Sequence, residues 1–303
     1  MSVSPKATEG AGKVTRWLVV GHGSVGSALV RRIGRTGVRP FVYDPSPRVV
    51  VTGGERLTAV DERSGPFDAV VSCVVPSAAP KALEAVRSAL GQGTLYLEWN
   101  TITPDAKRAI AEAAPCRVVD VALLDTLDDE AAHPSLAVSG AEAAAAVSLL
   151  SALGFSVDVV GALCGDAALL KLARSLFMKS LEALVIEFEA AMAHMAGRDV
   201  VIGSIERNLG PQFITFSRML LETDRIHAGR RSVELQEAVE SYRRAGRSVE
   251  VPSAAIRVLQ AAAASWRAAG APAPDAGAPA LAQYLARYLA RQHEAEELRH
   301  AGG

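Results

Sequence analysis

Short apolar runs alternate with stretches of helical period through the first half of the chain. Trp17-Leu18-Val19-Val20, Pro40-Phe41-Val42-Tyr43, the run Ala69 to Val75, Leu95-Tyr96-Leu97-Glu98-Trp99, the run Val118 to Leu123, Leu136 to Ser139 and Val157 to Val160 all have strand length. Several are nearly unbroken, as parallel strands covered on both faces require. Between the first two, Ser24 to Arg35 puts Val25, Ala28, Leu29 and Ile33 on one side of a helix. Gly37 is its stop signal and Pro40 opens the next strand. Further helices are predicted over Pro80 to Leu90, closed by Gly91, and over Ala141 to Leu153. Thr103 reads as an N-cap with Pro104 at the first helical position. Strands alternating with helices predict a wound α/β domain.

The pattern changes near Gly165. From Asp166 to Met195 there is neither Gly nor Pro, and Leu169, Leu172, Leu176, Leu184, Phe188 and Met192 recur at mostly helical intervals. Such a helix is about twice the ordinary length. Helices are also predicted around Ile214 to Leu221, over Ser232 to Arg244, Ser253 to Ala268 and Pro279 to Gln292, with Ala269 to Ala278 as an Ala/Pro/Gly-rich loop. The fold class expected is therefore α/β, a wound sheet domain over residues 14–163, followed by an all-α domain over 164–303 led by the long helix.

Composition narrows the function. The 303 residues suffice for two domains, and half of them are apolar. A net charge of −1 without a long basic run argues against nucleic acid as partner. The scattered Cys73, Cys116 and Cys164 have no paired spacing, which points to a reduced, cytoplasmic protein. Met1 to Lys13 is a polar lead-in without the apolar centre of a signal peptide, and no run reaches membrane-spanning length. The charged tail from Arg291 to Glu297 reads as a solvated helix end.

Gly21-His22-Gly23-Ser24-Val25-Gly26 follows directly on the first strand and opens the first helix. A G-x-G-x-x-G in that context sets backbone N–H groups and a helix N-terminus against a pyrophosphate. Asp44 ends the second strand, close to the spacing of a ribose-binding carboxylate. A carboxylate there favours NAD over NADP, although Ser46 and Arg48 stand nearby to hold a phosphate. Open sheets bind ligands beyond the carboxyl ends of their strands, which adds Val75, Pro76, Asn100, Thr101 and Asp125 as candidates.

Lys171 lies one turn into the long helix, with Arg174 and Ser175 on its face at i+3 and i+4. In a closed cleft such a lysine relays a proton to a substrate oxygen; on an open face it is surface decoration. His227, Arg230, Arg231 and Glu234 fall on one broad helical face. They either hold an anionic substrate group or form a structural cluster between helices. One His and one Glu are too few ligands for a metal.

The chain resembles the β-hydroxyacid dehydrogenase family, which includes 6-phosphogluconate and 3-hydroxyisobutyrate dehydrogenases. The resemblance rests on Val19 to Gly26, on Asn100-Thr101-Ile102-Thr103-Pro104 where the family often has Ser-Thr-Ile-x-Pro, and on Gly161 through Lys171. Ser175 to Leu184 and His227 to Leu235 are similar to a phosphogluconate-dehydrogenase-like subgroup. The resemblance implies a Rossmann-like dinucleotide-binding domain followed by an all-α domain, Lys171 as the general acid–base, and a homodimer; Asp125, Arg174, Ser175, His227 and Arg231 are candidate substrate contacts read from their positions. It implies hydride transfer between a nicotinamide and a small hydroxy acid or polyol. Two departures bear on the substrate. The family's Val-Ser-Gly-Gly stretch is replaced by Leu123-Leu124-Asp125-Thr126, and Arg174 and Ser175 stand where the family has His or Asn. Asp125 either faces the cleft, preferring a hydroxyl-rich or cationic substrate, or is a turn residue. An imine or keto reductase and a non-catalytic dinucleotide sensor are the rival readings.

Overall fold

A computed structural model describes residues 16–287 apart from 126, 128–132, 194, 269, 274–275 and 278–279. The polar lead-in, the charged tail and Thr126 lie outside the described residues. The chain divides into two compact units at Lys171/Leu172.

The first unit is an eight-stranded sheet. Its strands are β1 (Trp17–Val20), β2 (Phe41–Tyr43), β3 (Glu55–Leu57), β4 (Ala69–Ser72), β5 (Leu95–Glu98), β6 (Arg117–Leu123), β7 (Ser135–Ser139) and β8 (Ser156–Gly161). They lie in the order β3-β2-β1-β4-β5-β6-β7-β8. All neighbours are parallel except β6 and β7. The order reverses at β1/β4, which is where an open sheet of this kind makes its ligand crevice. The helices α1 (Ser24–Arg35), α2 (Ala79–Val86), α3 (Pro104–Ala113) and α4 (Ala143–Ala152) cover it.

Period-two alternation decides which helix covers which face. Val19, Val71, Leu97 and Val119 pack with Leu29 and Ile33 of α1 and with Ala146 and Leu150 of α4. Leu18, Val20, Val70 and Tyr96 pack with Leu83 of α2 and Ile110 of α3. Both faces of the central strands are thus sealed, and the apolar runs of the sequence follow from that. Thr103 caps α3 as expected, its Oγ1 accepting from the Ala106 N–H at 3.3 Å.

Several boundaries differ from the sequence expectation. The strand predicted to Val75 stops at Ser72, because residues 76–78 form a 3₁₀ turn ahead of α2. Strand β3 carries no apolar alternation and is held only as a three-residue edge.

The second unit is helical. The long helix α5 (Asp166–Met192) begins in the first unit and continues into the second, where α6 (Arg198–Leu209), α7 (Pro211–Arg244) and α8 (Glu250–Arg267) follow. Residues 280–287 are helical as well. The two helices expected at Ile214–Leu221 and Ser232–Arg244 are one helix of 34 residues. Its buried stripe runs through Leu221, Asp224, Ala228, Ser232 and Leu235. Two of these core-facing positions are polar, so the apolar period breaks in the sequence but not in the structure. Helix α6 has no buried residue and therefore no stripe to read.

Candidate active site

The glycine-rich turn joins β1 to α1. Gly21 has φ +93°, a conformation L side chains rarely adopt. A Cβ on Gly26 would stand 2.1 Å from the Gly21 carbonyl oxygen, so this position tolerates only glycine. At Gly23 a Cβ would meet nothing within 4 Å. Gly23 is also the N-cap of α1, no side chain caps the helix, and no acidic residue stands in its first turn. Uncapped N–H groups facing open space suit a diphosphate, as a helix macrodipole does. The residues present fit a dinucleotide.

Asp44 closes on the same turn. Its Oδ2 accepts from the His22 N–H at 2.9 Å and its Oδ1 from the Ser46 N–H at 2.9 Å. Burial holds the His22 imidazole below its ordinary pKa, against the pull of Asp44, and Nδ1 is buried without a hydrogen-bond partner. Below the turn, Cys73 Sγ donates to the Gly21 carbonyl at 3.3 Å. Burial pushes that thiol up to about 12, which leaves it a packing group and not a nucleophile.

The rim continues across β4 and β5. A Cβ on Gly21 would touch Val74 Cγ1 at 2.9 Å, so the two turns abut. The Asn100 Oδ1 accepts from the Val74 N–H at 2.6 Å, and its Nδ2 donates to Ser72 Oγ at 2.8 Å. Asn100 is 3% exposed, and its amide ties the end of β5 to the end of β4. Val75 and Pro76 are exposed beside it. Thr101 is exposed, and its Oγ1 accepts from Lys171 Nζ at 3.3 Å. Gly21, Val74, Asn100, Thr101 and Lys171 thus form one continuous series of contacts along the carboxyl ends of β1, β4 and β5.

The other candidates separate into two groups. Asp125 is exposed and its Oδ2 accepts from the Ser135 N–H at 2.9 Å, the arrangement of a turn residue opening β7. In the helical unit, Arg231 pairs with the buried Glu182 and donates to Thr223 Oγ1 at 3.0 Å. Arg230 pairs with Glu234, which Lys179 Nζ also approaches at 3.1 Å. Ser175 Oγ accepts from Lys179 Nζ, while Arg174 is exposed. Desolvation and the two arginines lower the His227 pKa. The Arg231–Glu182 and Lys179–Glu234 pairs tie α7 to α5, while Arg230 pairs with Glu234 within α7. Among the described residues no three His, Cys, Asp or Glu side chains group to hold a metal, and no helix is long and apolar enough to cross a membrane.

One set of residues was missed by the sequence reading. Ser72, Glu98, Asp120 and Ser139 are register partners across β4, β5, β6 and β7, and each is 0% exposed. Lys107 of α3, 2% exposed, reaches them. Its Nζ lies 3.0 Å from Asp120 Oδ1 and 3.6 Å from Glu98 Oε1, and donates to the Glu98 backbone carbonyl at 2.6 Å. Burial raises the Glu98 pKa, while Lys107 pulls it down. The signal existed: carboxylates inside sealed strands need a cation. Nothing in the sequence said which lysine supplies it.

No family model matches the chain. An uncharacterised 28.5 kDa protein of Methanothermus fervidus is 26% identical over 172 residues, 56% of this chain and 66% of that protein. A conserved protein of Sinorhizobium meliloti superposes with TM-score 0.77 at 24% identity, covering 92% of this chain and 98% of its own. The 3-hydroxyisobutyrate dehydrogenase of Mycobacterium tuberculosis, solved with L-serine, gives TM-score 0.69 at 15% identity over 90% of this chain and 99% of its own. An imine reductase of Aspergillus terreus, solved with a reduced nicotinamide dinucleotide and an azepine, gives 0.54 at 21% over 82% and 93%. The fold is that of the 3-hydroxyacid dehydrogenases.

Proposed function

We propose that this chain is a nicotinamide-dinucleotide-dependent oxidoreductase acting on the CH–OH group of a small hydroxy acid or polyol, with Lys171 as general acid–base. One observation carries the reading. Lys171 Nζ hydrogen-bonds Thr101 on the same strand-end rim as the uncapped glycine turn. The nicotinamide, when bound, supplies the hydride acceptor or donor.

The chain's own residues do the rest. Gly21, Gly23, Ser24, Val25 and Gly26 hold the diphosphate through backbone N–H groups, and Val75, Pro76, Asn100 and Thr101 shape the rim next to it. Asp44 accepts from the ribose hydroxyls in addition to the two N–H groups it already holds. Its charge repels a 2′-phosphate, so NAD is the preferred cofactor. Lys171 takes the proton from the substrate hydroxyl as the alcohol is oxidised and returns it on reduction. Thr101 fixes the direction of the amine. Arg174 and Ser175 follow on the same helix at i+3 and i+4 and belong with Lys171 as substrate contacts. Asp125 is already committed to the Ser135 N–H and Arg231 to Glu182 and Thr223, and neither these two nor His227 carries a step in this reading.

Dinucleotide titration followed by a screen of hydroxy acids, polyols and amines tests the reading. NADH binds more tightly than NADPH, and a hydroxy acid or polyol is oxidised. Lys171→Ala lowers kcat by about a hundredfold or more while leaving dinucleotide affinity unchanged. Turnover of amines alone, with Lys171→Ala active, selects the imine-reductase reading that the Aspergillus likeness favours. Dinucleotide binding without turnover of any class selects the sensor.

A further inference from the structure

A buried ionic row runs beneath the two residues just assigned to proton transfer, and proton transfer itself makes no use of it. Two carboxylates, Glu98 and Asp120, share one ammonium, Lys107, with all three side chains at most 2% exposed. Desolvating three ions is a poor way to stabilise a core, since apolar side chains of the same volume serve as well or better. The geometry of the row shows what it does instead.

Each carboxylate leads to one half of the candidate site. Glu98 Oε1 accepts from the Asn100 N–H at 2.9 Å, one residue before Thr101. Asp120 Oδ2 accepts from the Gly165 and Ala168 N–H groups at 3.0 and 2.9 Å. Those are the opening N–H groups of α5, and Ala168 stands one turn before Lys171. Ser139 Oγ reinforces the second arm, donating to Asp120 and accepting from the Ala167 N–H at 2.9 Å. Lys107 joins the arms: it donates to the Glu98 carbonyl at 2.6 Å and sits 3.0 Å from Asp120.

We propose that Lys107 is a positioning residue, clamping the strand end that carries Thr101 to the helix start that carries Lys171 and so setting the Thr101–Lys171 contact. The proposal rests on the assignment of Lys171 as the proton-transfer group. Without the clamp, the Glu98 carbonyl and the Asp120 carboxylate lose the donor they share, the Asn100–Thr101 turn and the start of α5 are no longer tied to each other, and the Lys171 amine loses the Thr101 hydroxyl.

Competitive acetylation tests this without a substrate. Trace acetic anhydride labels Lys171 and the exposed Lys81 in the same sample, and mass spectrometry gives their ratio. In Lys107→Met the Lys171/Lys81 ratio rises by about threefold or more, the scale of one lost hydrogen bond. Asp120→Asn, nearly isosteric, gives a rise in the same direction and carries the test if the methionine variant is recovered unfolded. An unchanged ratio in either folded variant overturns the proposal. So does failure of both to fold, which makes the row a folding element alone. With a turned-over substrate in hand, the folded variant loses about tenfold or more in kcat while its dinucleotide KM stays within about twofold. A wild-type chain that binds no dinucleotide defeats the oxidoreductase reading and leaves the labelling ratio as a separate result.

Discussion

At the scale of single residues, the glycine turn is set by two positions, Gly21 and Gly26, where a side chain would strike backbone. Gly26 is the sharpest case, since a methyl there would collide with the Gly21 carbonyl oxygen at 2.1 Å. That atom is backbone and cannot swing aside. Gly26→Ala therefore pushes the turn out of register with α1, and calorimetric titration shows dinucleotide affinity reduced by about tenfold or more. Unaltered affinity would mean the turn is not the diphosphate cradle. Glycine constraints of this kind are local, so the motif was legible in sequence. Asn100 was legible as a strand-end residue but not as the amide that ties the end of β5 to the end of β4, because its partners lie 26 and 28 positions away. Lys107 was illegible for the same reason: its helix period looks like that of any surface lysine until α3 is laid on β5 and β6. The carboxylate of Asp125 accepts from the Ser135 N–H, ten positions on, a pairing that its sequence neighbours do not announce.

At the scale of elements, polar residues inside apolar stripes decided what the sequence hid. Helix α7 is continuous because Asp224 and Ser232 occupy core positions. Asp224 is 0% exposed, accepts from Trp266 Nε1 at 2.6 Å, and has an Oδ1 without a hydrogen-bond partner. Burial, with the neighbouring Glu182 adding to it, pushes its carboxyl up to about 7, while Trp266 and Arg231 oppose the rise. The sign follows from linkage. In acid, folded and unfolded chains both hold the proton. As pH rises through the ordinary carboxylate range the unfolded chain releases it first, so folding stability falls. The fall ends near pH 7, where the folded carboxyl also ionises. The lowered His22 and His227 pKa values work in the opposite direction over the same range, so the Asp224 contribution is read as a difference: by urea unfolding the wild type loses stability relative to Asp224→Asn, which still accepts from Trp266, between about pH 5 and about pH 7.5. Parallel pH curves for the two chains would remove Asp224 from the account, leaving Glu182, whose pKa burial also raises, as the remaining source.

At the scale of the whole molecule, the apolar surface says more than the core. On α5, Leu170, Phe177 and Leu184 are 39%, 67% and 61% exposed. On α7, Met219, Ile226 and Val233 are 40%, 74% and 56% exposed. Both sets repeat every seven residues. A straight helix drifts only about 20° per heptad from such a repeat, so each set stays a single stripe along its helix. Isolated exposed apolar residues need no explanation, but a set aligned at every second turn of one helix does. A second copy of the chain, the homodimer expected from the sequence, is the occupant to test. Neither helix needs the stripe for its own packing. Its buried positions are elsewhere, at Ala183 and Ile186 on α5 and at Leu221 and Leu235 on α7. Charging the stripe should then break association without unfolding the chain. Sedimentation of the wild type gives the mass of two chains, and Phe177→Glu with Ile226→Glu gives that of one, with helical circular dichroism unchanged. Placing a charge at two buried interface positions costs several kcal/mol, enough to shift a micromolar dimer fully to monomer. A wild type that sediments as one chain, or a double variant that stays paired, would assign these stripes to something other than self-association.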